Sequence, residues 1–278
     1  MTQSNLNWPD GKRIAVIFNV CLEGWSDGKA PGVSPMGNPL PPTPGLVDTM
    51  ANSWAAYGMK RGIFRLLDSF KKFDAKASVM VNGVIAERAP ESIRACVAGG
   101  HEIMGHSYAM DVIPLLLTEE AERANIKRTT SLLEEVAGTK VRGWLSPRGT
   151  PSVRSAQLLA EAGYQHFGDV FDDDLPYTQT FGDKSIVCIP FGTDVNDMPF
   201  IKFGSEPAAM LESFRQNLDI ARKTGESTII DVTSHAHIFG HPRGAYYHER
   251  IIEAALECRD VWVCTRSEIA DRHVAANR

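Results

Sequence analysis

The stretch Ser227-Thr228-Ile229-Ile230-Asp231-Val232-Thr233-Ser234-His235-Ala236-His237-Ile238-Phe239-Gly240-His241-Pro242 organises the reading of this chain. Residues 227–233 are apolar and β-branched, the composition of a buried strand. Three histidines then fall within seven residues, and a Gly and a Pro turn the chain. In α/β folds the carboxyl ends of strands face the active-site mouth. Histidine is the side chain whose ordinary pKa lies nearest neutrality. One histidine here would read as a turn cap. Three at one strand end mark a candidate for proton transfer.

Working outward, strand-like and helix-like segments alternate. Strands are expected over 13–19, 77–81, 101–106, 141–145, 164–167, 185–189 and 261–264. Helices are expected over 91–98, 118–138, 152–162, 207–223 and 246–257, and around the periodic Met59, Ile63, Leu66, Leu67 and Phe70. Gly99-Gly100 stops one of them. Thr118 reads as a cap, with Glu119, Glu120 and Glu122 in the first turn and Gly138 at the stop. This alternation belongs to parallel strands joined by crossovers. The expected class is α/β, a single irregular (β/α) barrel of about seven strands over residues 1–278. A Gly- and Pro-rich loop at 24–45 breaks the pattern, and it reads as a lid, a subunit contact or a surface excursion.

Composition narrows the function. The chain has 278 residues, 43% hydrophobic and 23% charged, enough for one large core. The net charge is −5 and no Lys/Arg block occurs, so no nucleic-acid partner is expected. The apolar runs are too short to span a membrane. Met1 to Asn5 lack the basic and apolar parts of a signal peptide. The five cysteines are scattered and form no CxxC pair. A reduced, cytoplasmic protein is the expectation.

Four strand ends carry candidate chemistry. After the first strand, Glu23 reads as a base, a ligand or a loop charge, and Cys21 as a ligand or a small core residue. His106 ends the third strand and reads as a metal or substrate contact or a turn cap. Arg148, in Ser146-Pro147-Arg148-Gly149, offers a planar fork to a carboxylate or ureido group, or is a surface arginine. Asp172-Asp173-Asp174 is an acidic turn anchored by Leu175-Pro176-Tyr177, in which one carboxylate could orient a substrate or a histidine. No phosphate loop or GxSxG elbow occurs in a suitable context.

Together these segments resemble the polysaccharide deacetylase (NodB-homology) superfamily, from about Arg13 to Val263. The pattern is closest to its branch of metal-independent allantoinases and related cyclic-amide hydrolases. The resemblance is carried by Tyr57–Ile63, Gly100-His101-Glu102-Ile103, Gly143-Trp144 with Arg148, Asp173–Tyr177, and His235-Ala236-His237 with Gly240 and Pro242. It implies a hydrolase of a non-peptide carbon–nitrogen bond in a small cyclic amide, imide or ureide. It implies His235 as proton donor, Glu23 or His106 as activator of water, and Arg148, Asp173, Asp174, Trp144 and His237 as substrate contacts, with His241 a weaker candidate. It also implies a small-molecule substrate and a homo-oligomer.

The departures from the superfamily matter too. Its metal-dependent deacetylases carry two adjacent Asp after strand one and two His four residues apart. Here no Asp pair follows strand one, His106 matches the first His, and Met110 stands at the second. No metal is therefore expected. A rebuilt zinc site of Cys21, Glu23 and His106 is the alternative. The alternatives for function are a metal-dependent deacetylase of an N-acetylated sugar and a non-catalytic binding relic.

Overall fold

The computed structural model describes residues 8–31 and 45–277. Among them nine strands form one sheet: β1 (Ile14–Leu22), β2 (Ser78–Val81), β3 (Glu102–Gly105), β4 (Gly143–Trp144), β5 (His166–Phe167), β6 (Tyr177–Phe181), β7 (Lys184–Cys188), β8 (Thr228–His235) and β9 (Val261–Cys264). The order is β6-β7-β5-β4-β3-β2-β1-β8, with β9 also paired to β1. Every pairing is parallel except the β6–β7 hairpin. One bridge, Asn196 to Thr233, spans the seam towards β8. This is the irregular α/β barrel that the alternation predicts.

The ten helices of the described residues are α1 (Thr49–Tyr57), α2 (Ile63–Phe73), α3 (Gly83–Arg88), α4 (Pro90–Ala98), α5 (Glu119–Ala137), α6 (Ser155–Glu161), α7 (Asp197–Lys202), α8 (Pro207–Thr224), α9 (Pro242–Leu256) and α10 (Arg266–Ala276). Thr118 caps α5 through its side chain, and Gly138 ends it in a left-handed conformation. The expected loop at 24–45 is described in part. Residues 32–44 lie outside the described residues.

β1 is buried along its whole length, as a central parallel strand should be. Its alternation sorts two environments. Ile14, Val16, Phe18, Val20 and Leu22 belong to the main core, with Ile63, Leu66, Phe70, Ile251 and Ile252 from α2 and α9. Ala15 and Ile17 instead pack with Val187, Ile189, Cys264 and Ile269, so they fill the lower barrel. Asn19, Cys21 and Glu23 continue that inner face upward.

Above the apolar floor sits a buried polar layer. Arg266 is 0% exposed. Its guanidinium donates to both oxygens of Asp231 (2.7 and 2.8 Å), to Asn19 Oδ1 (2.9 Å) and to the Ile189 carbonyl (3.1 Å). Groups from β1, β8 and the chain after β7 thus meet around one side chain, which shows how tightly the sheet curls. A second buried cluster joins Glu102 to His166 (2.8 Å), Ser78 (2.6 Å) and Ser267. Apolar side chains fill the barrel towards the amino ends of the strands, and Cys21 and His235 stand at the carboxyl ends of β1 and β8.

Candidate active site

Glu23 follows β1 directly and is only 3% exposed. Three imidazoles surround its carboxylate. His235 Nε2 lies 3.5 Å and His106 Nε2 3.7 Å from Oε1, and His237 Nε2 lies 3.8 Å from Oε2. Burial alone would raise the Glu23 pKa, but the facing His235, protonated and first among the opposing influences, outweighs it and holds the group at about 2. Glu23 is therefore a carboxylate at neutral pH.

His106 stands one residue past β3. Asn82, one residue past β2, donates to the His106 carbonyl and accepts from the Gly24 N–H at 2.9 Å, so three strand ends are tied together. His106 Nδ1 lies 2.5 Å from the Leu145 carbonyl. A carbonyl only accepts, so Nδ1 carries a proton, and in the neutral ring Nε2 turns a lone pair towards Glu23. The backbone at Ser107 is left-handed (φ 57°), and so is that at Arg148 (φ 60°). Non-glycine residues held in this region cluster at functional sites.

His235 is the last residue of β8, paired with Cys21 across the β1–β8 ladder. Its Nδ1 meets Asp197 Oδ1 at 2.6 Å, while Asp197 Oδ2 accepts the N–H of His235 (2.7 Å) and of Phe239 (3.2 Å). Asp197 opens α7, which Asn196 caps by accepting from Met198 N–H at 3.0 Å. Burial disfavours the imidazolium of His235. The facing carboxylates of Asp197 and Glu23 more than offset this and hold its pKa well above the ordinary value. His237 behaves oppositely: burial pushes its pKa down to about 4. Its ring lies edge-on to Trp54 (4.7 Å) and Trp25 (5.5 Å), and neither ring nitrogen has a hydrogen-bond partner among the described residues.

The turn after β8 is held by glycines. α1 and α2 are joined by a π-helical turn, Gly58–Gly62. A Cβ on Gly62 would lie 1.8 Å from the Ala236 carbonyl oxygen, and one on Gly240 would lie 2.0 Å from it. Only glycine permits this contact.

The structure thus gathers Glu23, His106, His235 and His237. Trp144, Asp173 and Asp174, also expected at the site, lie elsewhere. Trp144 is 1% exposed and packs in the core against Tyr164, its indole N–H bonded to Ser146 Oγ. It cannot touch a substrate from there, which corrects that expectation. Asp173 accepts from the N–H of Asp174 and of Leu175, closing its own turn. Asp173 and Asp174 line a groove of about 890 Å³ beside β8, together with Arg13 and Asp231; Glu23 is not part of it. Arg148 is exposed at its turn. A smaller cavity of about 270 Å³ lies between Gly24, Trp25, Ala55 and Met59, and Glu23 does not line it either. Two residues at the strand ends were not expected. One is Asp197. The other is Asp169, whose two oxygens accept from the Ser146 N–H at 2.8 and 2.9 Å, and whose pKa burial lifts to about 6.

The deacetylase-type metal set, with its two histidines four residues apart, is not reproduced. Residue 110 is a methionine, and its thioether is a poor donor to a hard cation. The ligand atoms that do converge, within 4.8 Å of one another, belong to Cys21, Glu23 and His235. His235 takes the place that the sequence assigned to His106, because the β1–β8 register sets Cys21 beside it.

Residues 56–167 match the family model of the polysaccharide deacetylases. The peptidoglycan deacetylase of Helicobacter pylori is 24% identical, over 83% of this chain and 94% of its own length. The crystal structure of Puue Allantoinase superposes with a TM-score of 0.87 at 28% identity, over 96% of this chain and 92% of that one. A putative polysaccharide deacetylase from Mycobacterium smegmatis superposes with a TM-score of 0.84 at 31% identity, over 98% of this chain and 94% of that one. Likeness sustained at that level from end to end, on a barrel whose strand ends gather the buried acid and histidines, places the chain in the polysaccharide deacetylase family.

Proposed function

We propose that the protein opens a small cyclic amide, imide or ureide by hydrolysis, with Glu23 as base and His235 as acid. As a member of its family it is a hydrolase of carbon–nitrogen bonds other than peptide bonds. The observation that carries the acid–base mechanism is the pairing of opposite charge states. A carboxylate held down at about 2 faces, at 3.5 Å, a histidine held well above its usual pKa. A base that is ionised and an acid that is protonated at the same pH are what amide hydrolysis requires.

Each residue then has a task. Glu23 Oε1 and His106 Nε2, 3.7 Å apart, are both acceptors. A water donating to both directs a lone pair at the substrate carbonyl. Glu23 takes a water proton as the oxygen–carbon bond forms. His235 Nε2 gives its proton to the leaving nitrogen as the carbon–nitrogen bond breaks. A carboxyl group and a neutral amine or amide nitrogen result, and the proton on Glu23 returns to His235. Asp197 fixes the ring and its protonated Nδ1 throughout. Arg148, at the strained turn after β4, is assigned to a polar edge of the substrate. The family's metal set does not fit these residues, and no step uses a metal.

Similarity to an allantoinase over nearly the whole chain supports a ring substrate. A second reading, removal of an acetyl group from an N-acetylated sugar, is favoured by the family match and the peptidoglycan deacetylase relative. The same acid and base serve either. A turnover screen decides, comparing allantoin, hydantoin, dihydrouracil and succinimide with N-acetylglucosamine oligomers. Ring opening is expected. Turnover confined to the acetylated sugars establishes the second reading instead. In either case His235→Ala and Glu23→Gln should each lower kcat by about 10²–10⁴-fold. Near wild-type turnover in folded His235→Ala overturns the mechanism.

A further inference from the structure

We propose that the acid–base pair doubles as a zinc site with a thiolate ligand, and that zinc seated there stops hydrolysis. The inhibitory part rests on the metal-free mechanism above; the site itself does not. Cys21 and Glu23 project from one face of β1, and His235 stands opposite Cys21 in register. Their ligand atoms lie within 4.8 Å of one another. Ligands on a tetrahedral zinc, with bonds of about 2.0–2.3 Å, lie roughly 3.3–3.8 Å apart. His235 to Glu23 at 3.5 Å and His106 to Glu23 at 3.7 Å are already at that spacing, and too long for hydrogen bonds.

A second observation points to a ligand. His106 Nε2 is buried without a hydrogen-bond partner among the described residues and faces Glu23 Oε1, and Glu23 Oε2, buried and likewise without one, faces His237. Buried polar atoms are seldom left so. The outer contacts also suit a metal. Asp197 on His235 Nδ1 and the Leu145 carbonyl on His106 Nδ1 are the partners that orient ligating histidines.

The donor set names the ion. A thiolate with imidazole and carboxylate favours zinc over magnesium or calcium. It also differs from the carboxylate and two histidines of the metal-dependent deacetylases. Binding would expel the Cys21 thiol proton and the His235 Nε2 proton to solvent. His235 would then have no proton to give, and Glu23 would be a ligand rather than a base. Cys21 takes no part in hydrolysis, so it separates the two roles.

The test uses metal-stripped protein with zinc or cobalt chloride. Equilibrium dialysis should find one zinc per chain, and the cobalt form should show a thiolate-to-cobalt charge-transfer band in the near ultraviolet. Cys21→Ser, with Cys21→Ala as a second variant, should abolish the band and weaken zinc by at least about tenfold. Both should keep the zinc-free turnover within a few-fold and lose the inhibition. Absence of one-to-one binding, or a band that survives in Cys21→Ser, overturns the site. Thiolate-bound zinc that raises turnover overturns both its inhibitory role and the metal-free mechanism. Failure of the hydrolase reading alone leaves dialysis and spectrum to decide the site.

Discussion

Asp197 shows how much a single buried carboxylate can govern. It accepts from the His235 ring and from two backbone N–H groups of the same turn, so it sets both the ring's proton and its position. Asp197→Asn should lower kcat by on the order of 10²–10⁴-fold with little change in KM. It should also move the pH profile. The acid must be protonated to act, so activity falls as pH rises through the His235 pKa. Loss of Asp197 removes an influence that raises that pKa. The alkaline limb should therefore shift to lower pH, as a kcat profile against pH will show. An unmoved limb would make Asp197 merely structural. The sequence marks His235 because it ends a strand, but Asp197 lies 38 positions earlier in a segment without periodicity. Its one local signal is Asn196-Asp197 as a helix start. Trp144 entered through a motif resemblance, and Asp173 and Asp174 also as an acidic turn after a strand; pattern does not reveal which face of the sheet or turn a side chain occupies.

At the scale of elements, the π-helical turn Gly58–Gly62 is the brace of the site. It lies against the Ala236 carbonyl, between His235 and His237. π-turns are rare and frequently sit at functional sites. Gly62→Ala would force a methyl group into that carbonyl. It should cost about 1–3 kcal/mol by urea denaturation and reduce turnover in the protein that remains folded. Unchanged stability and turnover would show that the turn adapts. Elements were legible where local chemistry decides them. The Thr118 cap and the Gly138 stop are examples. They were less legible where a partner decides. β8 runs on to His235 because Cys21 pairs with that residue, two positions past the end of the β-branched run. β6 pairs only with β7 and alternates half-buried with exposed residues, so it lacks the apolar density of an inner strand.

Across the whole molecule, buried neutral histidines set a limit on acid stability. His101 accepts a hydrogen bond from the Ala77 N–H at 3.1 Å, and His248 lies against Ser234, Phe18 and Phe70. Burial pushes their pKa values down to about 4 and about 3. In the unfolded chain both titrate near 6.5. Between those values the unfolded state binds more protons, so stability is complete above about pH 6.5 and is lost as pH falls towards 3–4. Each contributes on the order of 3 kcal/mol. Glu102, held at about 2 by His166 and two serines despite its burial, adds a further loss below about pH 4.5. The urea midpoint should drop steeply from pH 7 to pH 4.5, and a flat profile would refute this. The alternation of strands and helices made the barrel itself legible, whereas its buried charge layer was not, since Arg266 reads as an ordinary helix start until the curl of the sheet encloses it. One arrangement within that barrel reaches beyond energetics. β1 is flanked by β8 along one edge and by β9 on the lower half of the other, and Trp8 touches Trp262. A ribosome therefore delivers the central strand and β2 early, and β8 and β9, which fill the rest of its two edges, almost last. Through most of synthesis the edge of β1 from Ile14 to Cys21 that β8 will pair stays open, a long wait in which chaperone capture competes with completion.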